Sequence, residues 1–168
     1  MIDSAIKAAP KTVPPPRPSI GHILRAAFGG TIAIGLIALL KDVSHVPLVL
    51  GSFGATCVLA FGFPQSPFSQ PRNIIAGHFI SSLVGLTMLQ CLGPSWFAVA
   101  LAAGLAIAAM LWFRVVHPPA GSNPVIVFLG TMHWDFLLVP TLVGALVITL
   151  VAIFFNRYTQ REQYPLYW

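Results

Sequence analysis

The chain has 168 residues, of which 57% are hydrophobic and only 8% charged, and its mean hydropathy is +0.84. Ordinary soluble domains carry about 25% charged residues, so this composition excludes a disordered chain, a coiled coil and a typical soluble enzyme, and leaves a one-domain integral membrane protein. The net charge of +5 resides mainly in the two tails, with no basic stripe interleaved with aromatics, so it reads as a record of membrane orientation and not as nucleic-acid binding.

Residues 1–21 hold Lys7, Lys11 and Arg17 around the string Pro14-Pro15-Pro16-Arg17-Pro18. Proline fixes φ and removes backbone donors, which predicts a disordered, extended cytoplasmic tail. No charged-then-apolar signal-peptide pattern is present. The membrane domain is predicted over 22–156 and a cytoplasmic C-terminal tail over 157–168. Between Arg25 and Arg157 the charged residues are Lys41, Asp42, Arg72, Arg114 and Asp135. The long apolar runs between them are candidate spans. The first runs from Ile23 to Leu40 and is expected to end at Lys41-Asp42. The second, Pro47 to Phe63, would be about 25 Å long, marginal for a hydrocarbon core of about 30 Å. Pro64, Pro67 and Pro71 then forbid a helix interior. The third span is Ile74 to Leu92, followed by a turn at Gly93-Pro94-Ser95. The fourth is Trp96 to Phe113, rich in small residues that allow close helix approach. Residues 114–124 break the pattern, a short apolar piece follows from Val125 to Met132, and the last span is Phe136 to Phe155.

The predicted fold is an all-α polytopic membrane protein with four full transmembrane helices plus two short or broken helical segments. The short segments fall second in each half. Gly54-Ala55-Thr56-Cys57-Val58-Leu59-Ala60-Phe61 can be laid on Gly121-Ser122-Asn123-Pro124-Val125-Ile126-Val127-Phe128, with Gly, Val and Phe coinciding. This allows a 3+3 inverted repeat, and paired broken segments are a pointer to a transporter binding site. With six crossings and a cytoplasmic N-terminus, Lys7, Lys11, Arg17, Arg25, Arg72, Arg114, Arg157 and Arg161 all lie inside and only Lys41 outside. Re-entrant short segments would move Arg72 and Arg114 outside and leave both termini cytoplasmic.

Candidate substrate-binding residues cluster in three strings. His117-Pro118-Pro119-Ala120-Gly121-Ser122-Asn123 interrupts an apolar region, and broken backbone at membrane depth must be buried or line a wet cavity. A helix starting there would aim free N–H groups at a small anion; alternatively the prolines make a surface turn that Ser122 or Asn123 caps. Ser52, Gly54 and Thr56 could offer similar donors in the first half. Arg72 supplies a planar fork for an oxyanion and Asn73 amide donors, although an arginine here also satisfies the positive-inside rule. His78, one turn into the third span, is an ionisable group at membrane depth, or a hydrogen-bond partner for a neighbouring helix. Cys57 and Cys91 read as small apolar residues. Metal-ligand spacings, paired carboxylates and a Gly-x-Ser-x-Gly nucleophile motif are absent, so neither a metal, a cofactor nor an enzyme activity is expected.

His117-Pro118-Pro119-Ala120-Gly121 resembles the signature of the HPP family of integral membrane proteins. Gly51-Ser52-Phe53-Gly54-Ala55-Thr56, and Pro64-Gln65-Ser66-Pro67 followed by Gln70-Pro71-Arg72-Asn73, are similar to that family's other strings. Together they cover roughly residues 20–156. The resemblance implies a four-helix membrane domain, and nitrite transport, in which cyanobacterial and chloroplast members are implicated. Ser122-Asn123-Pro124 departs from the Ala-Thr-Ala type of continuation, which touches substrate identity more than fold. The regulatory nucleotide-binding (CBS) domains appended to some relatives have no counterpart in these residues. The expected function is a transporter or channel for a small inorganic anion, nitrite first, in a bacterial inner membrane; the alternatives are a carrier for another small solute or a membrane scaffold or sensor. The expected partners are the anion and the lipid bilayer, without nucleic acid, and a homo-oligomer is left open.

Overall fold

The computed structural model describes residues 14–45, 47–160 and 163–168. Most of the expected N-terminal tail, with Lys7 and Lys11, and also Arg161, lies outside the described residues. Among the described residues the fold is helical with no strand.

Helix α1 spans Ile20–Ser44, with the Ser19 hydroxyl accepting from the His22 N–H at 3.2 Å as its cap. It is longer at both ends than expected. Lys41-Asp42 does not end it, because both side chains are exposed, pair with each other at 3.2 Å, and place a cation in the last turn where the helix dipole favours it. The chain stops instead at His45, which takes the left-handed conformation (φ 58°). Residues 47–50 are extended, so α2 occupies only Gly51–Gly62, about 18 Å. Pro64 prevents its continuation. Helix α3, Pro71–Leu92, begins three residues earlier than expected because Pro71 occupies the first helical position, where no N–H is needed. Helix α4 is Trp96–Trp112, capped by the Ser95 hydroxyl. A 3₁₀ turn, Pro118–Ser122, leads directly into α5, Asn123–Leu129. Helix α6, Leu137–Thr159, is kinked at Val139 (φ −133°, ψ 118°) before Pro140. Three helices, α1, α3 and α6, are long and apolar enough to cross a membrane, while α2 and α4 are shorter apolar helices. Of the four full spans expected, three reach 18 residues, and α4, with 17, is one residue short.

Contacts between sequence-distant residues fix the direction of each pass. The His22 Nε2 meets the Gly62 carbonyl at 3.0 Å, so the end of α2 returns to the start of α1. The Arg72 guanidinium donates to the Phe113 carbonyl at 3.3 Å, and Asn156 Nδ2 donates to the Ala60 carbonyl at 2.9 Å. The start of α1, residues 63–70, residues 113–117, residues 156–160 and residues 163–168 therefore share one end of the molecule, the tail end. At the far end, Pro47 and Leu50 line one cleft with Met132, Asp135 and Phe136. The chain thus makes six passes between two ends. Residues 47–62 run toward the tail end, and 118–129 run away from it alongside α3.

Helix α3 stands at the centre. Ile74, His78, Ser82 and Leu86, spaced by four, are buried on one row, and Gly77, Ser81 and Gly85 on the next. The small row admits residues 115–124 at backbone distance: a Cβ on Gly77 would lie 2.7 Å from His117 Cβ, and one on Gly85 2.9 Å from Pro124 Cα. The outer surface displays Leu24, Phe28, Leu39, Leu105, Leu111 and Phe154. The interior holds Ser52, Thr56, His78, Ser82, Asn123 and Thr141. An apolar exterior over a polar centre is the inverse of a water-soluble core and fits a bilayer as solvent.

Candidate functional site

The polar centre is one connected chain of side chains drawn from five parts of the sequence. His117 Nδ1 lies 2.7 Å from the Phe68 carbonyl, and its Nε2 lies 2.9 Å from Thr56 Oγ1. Thr56 Oγ1 is also 2.9 Å from His78 Nε2. On the other side of that ring, His78 Nδ1 lies 3.0 Å from Asn123 Nδ2, which also donates to Ser82 Oγ at 2.9 Å. Ser82 Oγ meets Thr141 Oγ1 at 3.1 Å. Six side chains, Thr141, Ser82, Asn123, His78, Thr56 and His117, are thus linked, and all are fully buried. The Phe53 ring packs edge-on to His78 at 5.2 Å, and the two imidazoles lie 5.0 Å apart. His78 is seven residues into α3, so the histidine pair sits about 10 Å below the tail end of a helix about 33 Å long. Ser82 lies near its midpoint.

Hydrogen-bond valence orients the whole chain. A carbonyl only accepts, so His117 Nδ1 carries the hydrogen and, in a neutral ring, Nε2 must accept. Thr56 then donates its single hydroxyl hydrogen to His117 Nε2. His78 consequently donates from Nε2 to Thr56 and accepts at Nδ1 from Asn123. The second Asn123 amide hydrogen goes to Ser82, which donates to Thr141. Along the chain the bonds run outward from the Asn123 amide in both directions, to His117 and the Phe68 carbonyl on one side and to Thr141 on the other, with both imidazoles neutral. Two buried polar atoms on its edge have no partner: Ser52 Oγ, one turn before Thr56, and Asn123 Oδ1.

The expected site residues separate into two groups. Thr56, His78, His117 and Asn123 meet in this cluster, and Ser52 borders it. Pro119 is buried in the turn that leads from His117 to Asn123. Ser122 donates to the Pro119 carbonyl at 2.8 Å, a local turn bond, while Pro118 and Gly121 shape the same turn. Asn73 is buried at the tail end, donating to the Val116 carbonyl at 2.9 Å. Arg72 and Gly54 do not join the cluster: Arg72 is exposed on the tail-end surface, and Gly54 faces outward beside Ala27 and Gly30. Ser82 and Thr141 are members that sequence reasoning passed over as site residues. Ser82 could have been found, since it lies four residues from His78 on the same helix face; nothing local marks Thr141.

A cleft of 310 Å³ enters from the far end and reaches Pro140, the neighbour of Thr141. At the tail end, residues 163–168 fold back over the loop that holds His117. Tyr164 Oη donates to the Ser69 carbonyl at 2.6 Å, Leu166 N–H to Gln70 Oε1 at 2.8 Å, and Tyr167 Oη to the Pro67 carbonyl at 3.0 Å. The expected C-terminal tail is in this part a docked strap. Among the described residues no three His, Cys, Asp or Glu side chains converge as metal ligands.

Six passes, a lipid-facing exterior and a buried uncharged hydrogen-bonded centre define an α-helical integral membrane protein. Residues 15–165 match the family described as HPP, transmembrane region, and the chain belongs to that family. It is similar to a transmembrane protein of Dictyostelium discoideum, with 37% identity covering 92% of this chain and 58% of the relative. A second Dictyostelium discoideum transmembrane protein is 33% identical over 89% of this chain and 51% of its own length. The chain therefore spans little more than half the length of these curated relatives. No solved structure matches it.

Proposed function

We propose that the protein is a carrier or channel for a small inorganic anion, with nitrite the leading candidate. The observation that carries this reading is the buried cluster where the two short helical segments meet at His78. A cluster of hydroxyl, amide and imidazole donors with no carboxylate suits an anion. The unpartnered Ser52 hydroxyl supplies a donor free to turn to a substrate. Broken helices meeting at a polar centre inside a lipid-facing shell are the arrangement in which transporters hold substrate. The far-end cleft, lined as far as Pro140, gives an approach from one side. Nitrite is preferred over other anions on the family resemblance.

The same reading takes the six passes as six membrane crossings with both termini in the cytoplasm. It takes residues 51–62 and 118–129, which run in opposite directions, as equivalent members of an inverted repeat. Arg72, exposed beside Phe113, then concentrates anions at the tail-end surface, and the substrate is bound without a fixed charge. Uptake into proteoliposomes of nitrite, nitrate, formate, chloride and bicarbonate tests this. Nitrite uptake above that of empty liposomes is expected. Folded protein that moves none of the five would overturn the transport reading in favour of a membrane scaffold.

A further inference from the structure

We infer that the His78–Thr56–His117 bridge binds a proton together with the anion, so that the two cross as a neutral pair; this rests on the anion-transport reading. The geometry holds two complete hydrogen-bond layouts that differ by one proton. In the neutral layout, Thr56 donates to His117 Nε2. A proton added at His117 Nε2 makes that nitrogen a donor to Thr56 Oγ1, and the Thr56 hydroxyl hydrogen needs another acceptor. The Ser52 carbonyl already lies 3.1 Å from Thr56 Oγ1. Thr56 then accepts from both imidazoles through its two lone pairs and donates to Ser52. The bridge takes up a proton without a heavy atom moving and without losing a bond; His117 Nδ1 keeps the Phe68 carbonyl throughout.

The surroundings dictate the coupling. The groups facing the bridge are Ser52, Phe53 and Thr56 from α2, the Phe68 carbonyl, His78, Ser81 and Ser82 from α3, Asn123 from α5 and Thr141 from α6. Cys57 turns to Gly30, Tyr164 is bonded to Ser69, and Arg72 is held at the surface by Phe113. Among the described residues, no charged side chain touches either imidazole. A proton alone would be an uncompensated buried cation, and an anion alone an uncompensated buried anion, each costly away from water. Together they cancel. The unpartnered Ser52 Oγ can donate to the anion.

The test measures initial nitrite uptake by proteoliposomes with the full chain, corrected by empty liposomes for permeation of nitrous acid. Valinomycin and a roughly hundred-fold potassium gradient impose a potential of either sign, which would bias the accumulation of a lone anion by up to about hundred-fold. The expected result is uptake above the control that is the same for both signs, with one proton entering per nitrite as read by an internal pH dye. Uptake that follows the sign of the potential without proton entry would overturn the inference and leave anion transport standing. Absence of nitrite uptake above empty liposomes would overturn both. Thr56→Val, which removes the shared hydroxyl, should lose proton entry with nitrite, and Thr56→Ser should restore it. A Thr56→Val protein with the wild-type proton-to-nitrite ratio would also overturn it. Should that variant fail to fold, the wild-type ratio decides alone.

Discussion

Replacing Gly77 with alanine tests the docking of His117 on α3. The added Cβ would lie 2.7 Å from His117 Cβ and 3.0 Å from the Val115 carbonyl oxygen. Carbon atoms relax to about 3.5–4.0 Å, so the 115–117 backbone must withdraw by about 1 Å. His117 bonds Phe68 at 2.7 Å and Thr56 at 2.9 Å, and a shift of about 1 Å takes both past hydrogen-bond range. Overpacking costs about 1–3 kcal/mol. Losing two buried bonds adds about 0.5–1.5 kcal/mol each, and the better helix propensity of alanine returns about 1 kcal/mol. The expected net loss is about 1–5 kcal/mol. Gly104→Ala is the matched control, because nothing lies within 4 Å of its Cβ position on α4; it should be neutral or stabilising by up to about 1 kcal/mol. Unfolding in mixed micelles, followed by tryptophan fluorescence, measures both. A Gly77→Ala protein as stable as Gly104→Ala, with undiminished nitrite uptake, would refute the placement of His117 against α3.

Three further outcomes are expected. Arg72→Gln should lower nitrite uptake several-fold at low ionic strength and hardly at all in about 1 M salt, where the Debye length is about 3 Å; a loss independent of salt would mean that Arg72 contacts the substrate directly. Tyr164→Phe should loosen the C-terminal strap by about 1–3 kcal/mol, since it leaves the Ser69 carbonyl without its 2.6 Å donor, read as faster hydrogen exchange over residues 163–168. Burial pushes the Tyr164 phenol above its ordinary value. The strap's stability should therefore hold up to about pH 10, the ordinary tyrosine value, and decline above it as the released phenol ionises. In a background lacking Cys57 and Cys91, Gln65→Cys and Asp135→Cys should react with an impermeant thiol reagent from opposite sides of the membrane. Labelling of both from one side would rule out six crossings.

Much of the architecture was legible in the sequence because it depends on local properties. Apolar runs mark the helices, and Pro64, Pro67, Pro118 and Pro119 mark where helices cannot continue. The two short segments and their matched places in each half followed from these alone, as did the candidacy of Thr56, His78, His117 and Asn123, because polar groups in an apolar run need partners. Boundaries were less legible: Lys41-Asp42 continues a helix where a break was expected, since an exposed ion pair at a helix end is well tolerated. Which face of each helix turns inward was not legible, because helices apolar on every side carry no amphipathic stripe to read. Arg72 and Asn73 illustrate this. They are adjacent and both polar, yet a rotation of about 100° per residue sends one to the surface and the other to the Val116 carbonyl. Only the tertiary structure joined Ser82 to Thr141, 59 residues apart, and folded Tyr164 onto Ser69 across 95. The sequence by itself determined that polar side chains lie in an apolar chain and must be satisfied. Which of them satisfy one another, and that they form one continuous line through the centre, was decided by the packing of six helical segments around the small residues of α3.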